Sequence, residues 1–200
     1  MAVKKRRKTR ASAEFKPDAR TVTWGKTMRL TRLQRLHLLK WALYVVTIVL
    51  CQVVQDVLMS QFSLFGATTN LAVSAILLIT VIEGTEVGST FVLIASTLYY
   101  FSGTAPGAYS IGLMTAFGVA ATMFRQLYWH RSRGSIILCA GIAQLLYELG
   151  LFAVGIFSGL TLWSRLIVFL LTAALSFVTM IPLYSLIYKI GLIGGNTWKE

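Results

Sequence analysis

Two groups of polar side chains interrupt the long apolar stretches of this sequence. Glu148 follows Gln144 by four residues, and Asp56 follows Gln52 by four residues and Gln55 by one. Residues three or four apart share one face of a helix, so each group would present its polar atoms together. Carboxylates inside a membrane are costly and are usually functional, so Glu148 and Asp56 are the first residues to explain.

Three roles are open to these polar groups. A carboxylate could serve as a proton or substrate site, the groups could form hydrogen bonds between helices worth about 0.6 kcal/mol each, or Glu148 could anchor a partner helix. No basic residue lies in the apolar segment that contains Glu148, which favours the second and third roles over transport. Arg165 is the nearest basic candidate, and its place near the end of a segment favours pairing with Asp56.

The residue patterns of enzymes are missing from the sequence. It has no Ser/His/Asp set, no H-E-x-x-H motif and no phosphate-binding loop. Cys51 and Cys139 lie in apolar runs, where thiols behave as small hydrophobic groups. His37 and His130 lie in basic surroundings that would repel a cation. We therefore expect no catalytic residues, no disulfide, no metal and no cofactor.

Composition and charge place these groups in a membrane. The 200 residues are 56% apolar and 13% charged, with a mean hydropathy of +0.70, whereas soluble domains are about 25% charged. Thirteen of the nineteen Lys and Arg residues precede Trp41, and none lies between Trp41 and Phe124. A membrane-spanning helix needs about 20 apolar residues. The sequence predicts an all-α membrane protein with a bundle of six transmembrane helices.

Four segments follow from this pattern: a disordered basic arm (1–25), a basic amphipathic helix at the membrane surface (26–40), the six-helix membrane domain (41–193) and a tail (194–200). The basic side chains expected to face lipid are Lys26, Arg29, Arg32, Arg35 and Lys40. The predicted spans are 41–59, 70–82, 87–101, 109–124, 135–157 and 164–188. A Pro inside the last span, Pro182, predicts a kink, with Ser176 and Thr179 available to bond the freed backbone.

Loop charges predict the orientation of the bundle. The loop at 125–133 carries three arginines, whereas the loops near 60–69, 102–108 and 158–163 carry no Lys or Arg. Cytoplasmic loops are enriched in these residues, so both termini are predicted to be cytoplasmic. Each basic residue near an anionic leaflet gains about 1 kcal/mol, so anionic lipid is the expected partner of the arm. Nucleic acid is not expected, because no aromatic side chains interleave the basic run.

Several short motifs give the sequence a family resemblance. They are QDVL at 55–58, LFGATTNL at 64–71, IEGTEVG at 82–88 and FSGTAPGAY at 101–109, with Pro182 and Tyr184 in the last helix. Together they resemble the MreD family of the bacterial rod-shape machinery over roughly residues 45 to 193. Thr69 stands where that family usually has Pro. Tyr99 and Tyr100 stand where it has an Asp, so no role of that Asp is carried over.

The resemblance implies a non-enzymatic scaffold of the bacterial inner membrane. Proteins of this family bind MreC and help to couple MreB filaments to RodA and its transpeptidase in cell-wall synthesis. Under this hypothesis the residues expected to bind an MreC-like partner are Gln144, Glu148, Gly88 and Ser96. Gly88 follows Gly84 at a spacing that lets helices approach closely.

A second function follows from the same resemblance. The MreD fold is similar to that of the substrate-binding subunits of energy-coupling-factor vitamin transporters. Such a subunit would enclose a vitamin near the outer face, and the residues available to line that pocket are Asn70, Tyr99, Tyr100, Phe101 and Tyr109. The same aromatic residues suit a membrane-interface belt equally well. The feature that would separate the two functions is an outer polar cavity with several converging hydrogen-bonding groups.

Overall fold

The computed structural model describes residues 32–57, 61, 66–128 and 132–193. Within them the chain forms six α-helices: α1 (Arg32–Val57), α2 (Leu71–Glu83), α3 (Thr85–Phe101), α4 (Tyr109–Tyr128), α5 (Arg133–Phe157) and α6 (Leu166–Gly191), the last preceded by a 3₁₀ turn at Trp163–Arg165. Each predicted apolar segment corresponds to one helix. Three of the described helices are long and apolar enough to cross a membrane: Arg32–Val57, Arg133–Phe157 and Trp163–Gly191.

Helix α1 changes one expected boundary. It runs without a break from Arg32 to Val57, so the division at residue 40 between a surface helix and a first span does not exist as a structural break. Arg32 and Arg35 are exposed at its start. The arm at 1–25, Lys26, Arg29 and the tail at 194–200 lie outside the described residues.

Helix α2 is the central helix of the bundle. Twelve of its thirteen residues are buried, and it contacts each of the other five helices. A helix that is apolar on all sides is expected to lie inside a protein in this way. Its length of about 20 Å is less than the roughly 30 Å of a hydrocarbon core. The surrounding helices make this tolerable, since its ends meet protein groups instead of lipid.

A tight turn joins α2 to α3. Gly84 is the only residue between them, and its φ of 85° favours glycine. One turn later, a Cβ atom at Gly88 would lie 2.4 Å from the backbone oxygen of Thr80. The spacing of the two glycines therefore lets α2 and α3 pack with their backbones close together, as the sequence predicted.

Helix α6 continues through Pro182 to Gly191. Thr179 Oγ1 donates to the Ser176 carbonyl at 2.8 Å, which is not the carbonyl that Pro182 leaves free one turn before it. The Ser176 hydroxyl is used elsewhere, because its Oγ accepts from the backbone N–H of Asn70 at 2.9 Å. The expected backbone repair by Ser176 is therefore replaced by a contact that joins α6 to the start of α2.

Candidate functional site

A polar cluster surrounds the first residues of α2 in the interior of the bundle. Asn70 Nδ2 donates to Glu148 Oε1 at 2.6 Å, and Gln144 Nε2 donates to the same oxygen at 3.2 Å. The side chains of Gln144 and Glu148 are buried. Sequence spacing correctly predicted that they share a face and point into the bundle. We call Gln55, Asn70, Gln144, Glu148 and Ser176 the Glu148 cluster.

The Glu148 cluster fixes the start of α2. The first N–H groups of a helix have no partner within the helix. Here Gln55 Oε1 accepts from the Ala72 N–H at 3.0 Å, and Gln55 Nε2 lies 3.5 Å from Asn70 Oδ1. The carboxylate of Glu148 also lies where the positive end of the helix dipole favours negative charge. Side chains from α1, α5 and α6 thus replace the water that would solvate an exposed helix end.

A cavity of about 260 Å³ opens beside this cluster, at the end of the bundle where α3 and α5 finish and α6 begins. Its polar lining includes Asn70, Tyr99, Tyr147, Glu148 and Arg165. Tyr147 is fully buried, and its hydroxyl has no hydrogen-bond partner among the described residues. The Arg165 side chain, by contrast, is exposed. The cavity therefore combines a deep carboxylate with a cation near solvent.

The four residues predicted to bind a partner are all buried within the described bundle, and partner binding by them stays a prediction. Gln144, Glu148 and Ser96 are each at most 2% exposed, and Gly88 is also buried. Ser96 Oγ bonds within its own helix and lies 3.3 Å from Thr115 Oγ1 on α4. Polar groups in a low-dielectric interior need such internal partners, and these residues are therefore turned away from the surface that a partner helix would meet.

The other predicted polar residues of α1, Gln52 and Asp56, lie at half-buried or exposed positions. Gln52 Nε2 donates to Ser102 Oγ at 2.5 Å and lies 3.4 Å from Thr104 Oγ1. Asp56, one turn later, is exposed. The expected ion pair between Asp56 and Arg165 is not found among the described residues. Arg165 lines the cavity that contains Glu148.

A buried ion pair lies at the opposite end of α2, and sequence reasoning missed it. Lys40 Nζ lies 2.6 Å from Glu83 Oε1 and 2.9 Å from Oε2, and the Tyr44 hydroxyl donates to Oε1 at 2.5 Å. Lys40 was predicted to face lipid, but it is only 2% exposed. A charge taken out of water needs an opposite charge, which turns Lys40 inward. One feature of the sequence could have indicated this pair. Lys40 directly precedes one predicted span and Glu83 directly follows the next, so both lie on the same predicted side of the membrane.

An apolar groove runs along the outside of the bundle between α1 and α3. It has a volume of about 340 Å³, and Trp41 and Phe91 pack across it with ring centroids 5.5 Å apart. Val45 and Val49 line one wall, and Ile94 and Leu98 the other; all four are about half exposed. Most positions of α1 between Trp41 and Cys51, and of α3 between Phe91 and Phe101, are apolar on every side of the helix, so no periodic signal marks this groove.

The residues proposed for a vitamin pocket separate into two sets. Asn70 and Tyr99 line the polar cavity. Tyr100, Phe101 and Tyr109 do not, and Phe101 is 76% exposed. The described residues contain no group of three or more side chains able to hold a metal ion, and Cys51 and Cys139 are free and buried.

Comparison of the chain with protein families, with characterised proteins and with solved structures finds no significant match.

Proposed function

We propose that this protein is a non-enzymatic membrane scaffold of the bacterial cell-wall elongation machinery, and that it binds the single transmembrane helix of an MreC-like partner. The observation that carries this proposal is the apolar groove between α1 and α3. Through that partner the scaffold would help to couple MreB filaments to RodA and its transpeptidase, as the sequence resemblance implies.

The shape of the groove suits a helix. Its α1 wall extends from Trp41 to Gln52, which is about 17 Å or three helical turns. Lipid tails are as apolar as leucine, so helices associate in a membrane through close packing and interhelical hydrogen bonds. A concave surface lined on both sides by half-exposed aliphatic side chains provides such packing. Gln52 and Thr90 are the polar residues at the groove. The Gln52 amide and the Thr90 hydroxyl donate within the protein, which leaves their oxygen atoms to accept a hydrogen bond from a polar residue of the partner.

In this proposal all six helices cross the inner membrane and both termini are cytoplasmic. The basic groups near one end of the bundle support this orientation. The guanidinium of Arg125 donates to the Val81 carbonyl at the end of α2, which is also the end where Lys40 pairs with Glu83. Arg133 begins α5 after the loop that follows Arg125. Positive charge therefore gathers on the side that would face the cytoplasm.

Purification of the tagged protein from its native membranes in mild detergent, followed by mass spectrometry, tests the proposal. Recovery of an MreC-like protein or of a RodA–transpeptidase pair supports it. Recovery of neither, from membranes in which those proteins are detected, contradicts it.

The second candidate is the substrate-binding subunit of an energy-coupling-factor transporter. The polar cavity with Asn70, Tyr99 and Glu148 favours it, because that function requires converging hydrogen-bonding groups. Small-molecule sites usually measure about 300–1,000 Å³, and this cavity, at about 260 Å³, lies just below that range. Recovery of paired ATPases in the same purification would support this candidate over the scaffold.

A further inference from the structure

We propose that the cavity beside Glu148 is a binding site for a small zwitterion that carries a primary ammonium and an anionic group. The scaffold function does not require this site. The ammonium would sit against Glu148 at the bottom of the cavity, and the anionic group would meet Arg165 at its mouth. Two sources share this chemistry, namely the head group of phosphatidylethanolamine and a free soluble zwitterion such as phosphoethanolamine.

The unpaired groups of the cavity call for a hydrogen-bond donor. Both hydrogen bonds that Glu148 accepts from described residues go to Oε1, which leaves Oε2 for a ligand. Tyr147 lines the same cavity, and its buried hydroxyl has no hydrogen-bond partner in the described part of the chain. Buried polar atoms are nearly always paired in folded proteins, so an unpaired one beside a cavity points to a group that completes it. A primary ammonium has three N–H donors and no acceptor, which suits two acceptor atoms.

The charges of the cavity select a zwitterion over a simple cation. Arg165 lines the cavity and forms no ion pair with any described residue. A guanidinium can bind a phosphate or carboxylate through two parallel hydrogen bonds. Because Glu148 is buried and Arg165 is exposed, the ligand would enter with its ammonium first. A ligand of the opposite charge order would place its anion against the Glu148 carboxylate.

The test compares ligands that differ only in their N–H donors. The full-length protein is placed in nanodiscs of phosphatidylcholine, and binding of phosphoethanolamine and of phosphocholine is measured by calorimetry. For the lipid source, the protein is incubated in detergent with equal amounts of phosphatidylethanolamine and phosphatidylcholine, and the retained lipid is identified by native mass spectrometry. We expect at least a tenfold preference for the primary amine in one of the two arms. The arm that shows it identifies the source.

Variants link that preference to the cavity. Glu148→Gln keeps the shape and the neighbouring hydrogen bonds but removes the charge, and should abolish the preference. Tyr147→Phe removes only an unpaired hydroxyl, so it should fold normally and weaken amine binding several-fold. Should Glu148→Gln fail to fold, Tyr147→Phe still provides the test. Equal binding of the methylated and unmethylated ligands, or an unchanged preference in Tyr147→Phe, would overturn the proposal.

Discussion

Lys40 on α1 and Glu83 at the end of α2 form an ion pair in which Nζ lies 2.6 Å from Oε1, and both side chains are buried. Asn70 bonds to Glu148 at the other end of the same helix. The short central helix α2 is thus held by polar contacts at both ends and by apolar packing between them. This arrangement explains how a helix too short to span a membrane by itself can occupy the middle of the bundle.

Breaking the Lys40–Glu83 pair should be strongly destabilising. In Lys40→Met the Glu83 carboxylate stays buried without its cation, and removing one partner of such a pair typically costs about 3–5 kcal/mol. The free energy of unfolding, measured by SDS titration in mixed micelles, should fall by about that amount. Arg35→Met, at an exposed position of the same helix, is the control and should change it by less than about 0.5 kcal/mol.

The double variant Lys40→Met/Glu83→Gln provides a separate check of the same pair. Because the second substitution removes the stranded charge, the double variant should be more stable than Lys40→Met alone. If the double variant loses as much free energy of unfolding as Lys40→Met and Glu83→Gln lose together as single variants, the two residues do not interact.

Removing the Asn70 side chain should loosen the start of α2. Asn70→Ala deletes the donor to the buried Glu148 carboxylate and should lower the free energy of unfolding by about 1.5–3 kcal/mol, the usual range for a hydrogen bond to a charged group. Ser89→Ala is the control, since among the described residues the Ser89 hydroxyl bonds only to the Glu86 carbonyl of its own helix, at 3.3 Å. Equal stability of the two variants would mean that the Glu148 cluster does not hold α2.

A methyl group at Gly88 should force α2 and α3 apart. The added Cβ would meet the Thr80 backbone oxygen at 2.4 Å, and backbone cannot move aside as a side chain can. Gly88→Ala should therefore destabilise the protein by about 1–3 kcal/mol. Gly112→Ala on α4 has open space around the new Cβ and should be neutral or slightly stabilising, because Ala favours helix over Gly. Thermal melting of both variants in the same detergent distinguishes these outcomes.

Filling the groove should block partner binding without harming the fold. Ile94 lines the groove and is 58% exposed, so Ile94→Trp adds bulk where the partner helix would lie. Val178 on α6 is equally exposed, at 61%, and does not line the groove. Co-purification of the MreC-like partner should fall at least tenfold in Ile94→Trp and stay unchanged in Val178→Trp, with both variants melting at the wild-type temperature.

The sequence predicted the helices well but not their faces. Mean hydropathy and the glycine turns locate five of the six helices within about four residues, because a membrane helix must be continuously apolar. Only α1 differs more, since it begins at Arg32 and not at Trp41. The side of a helix that faces the bundle is hidden when both sides are apolar, which is why the groove beside Ile94 was missed. Polar residues were more informative, since Gln144 and Glu148 were correctly placed in the interior. The side chain of Lys40 could not be placed from local sequence, because it turns inward to pair with Glu83, which lies 43 residues away.

The most direct test of the scaffold proposal is a photo-crosslink from the groove. A photoreactive amino acid at Ile94, and separately at Val178, would be activated in native membranes, and the crosslinked products identified by mass spectrometry. The proposal predicts that Ile94 captures the transmembrane helix of one single-span protein of the MreC type, while Val178 does not. Only lipid adducts at Ile94, or the same protein captured equally from Val178, would contradict binding in the groove.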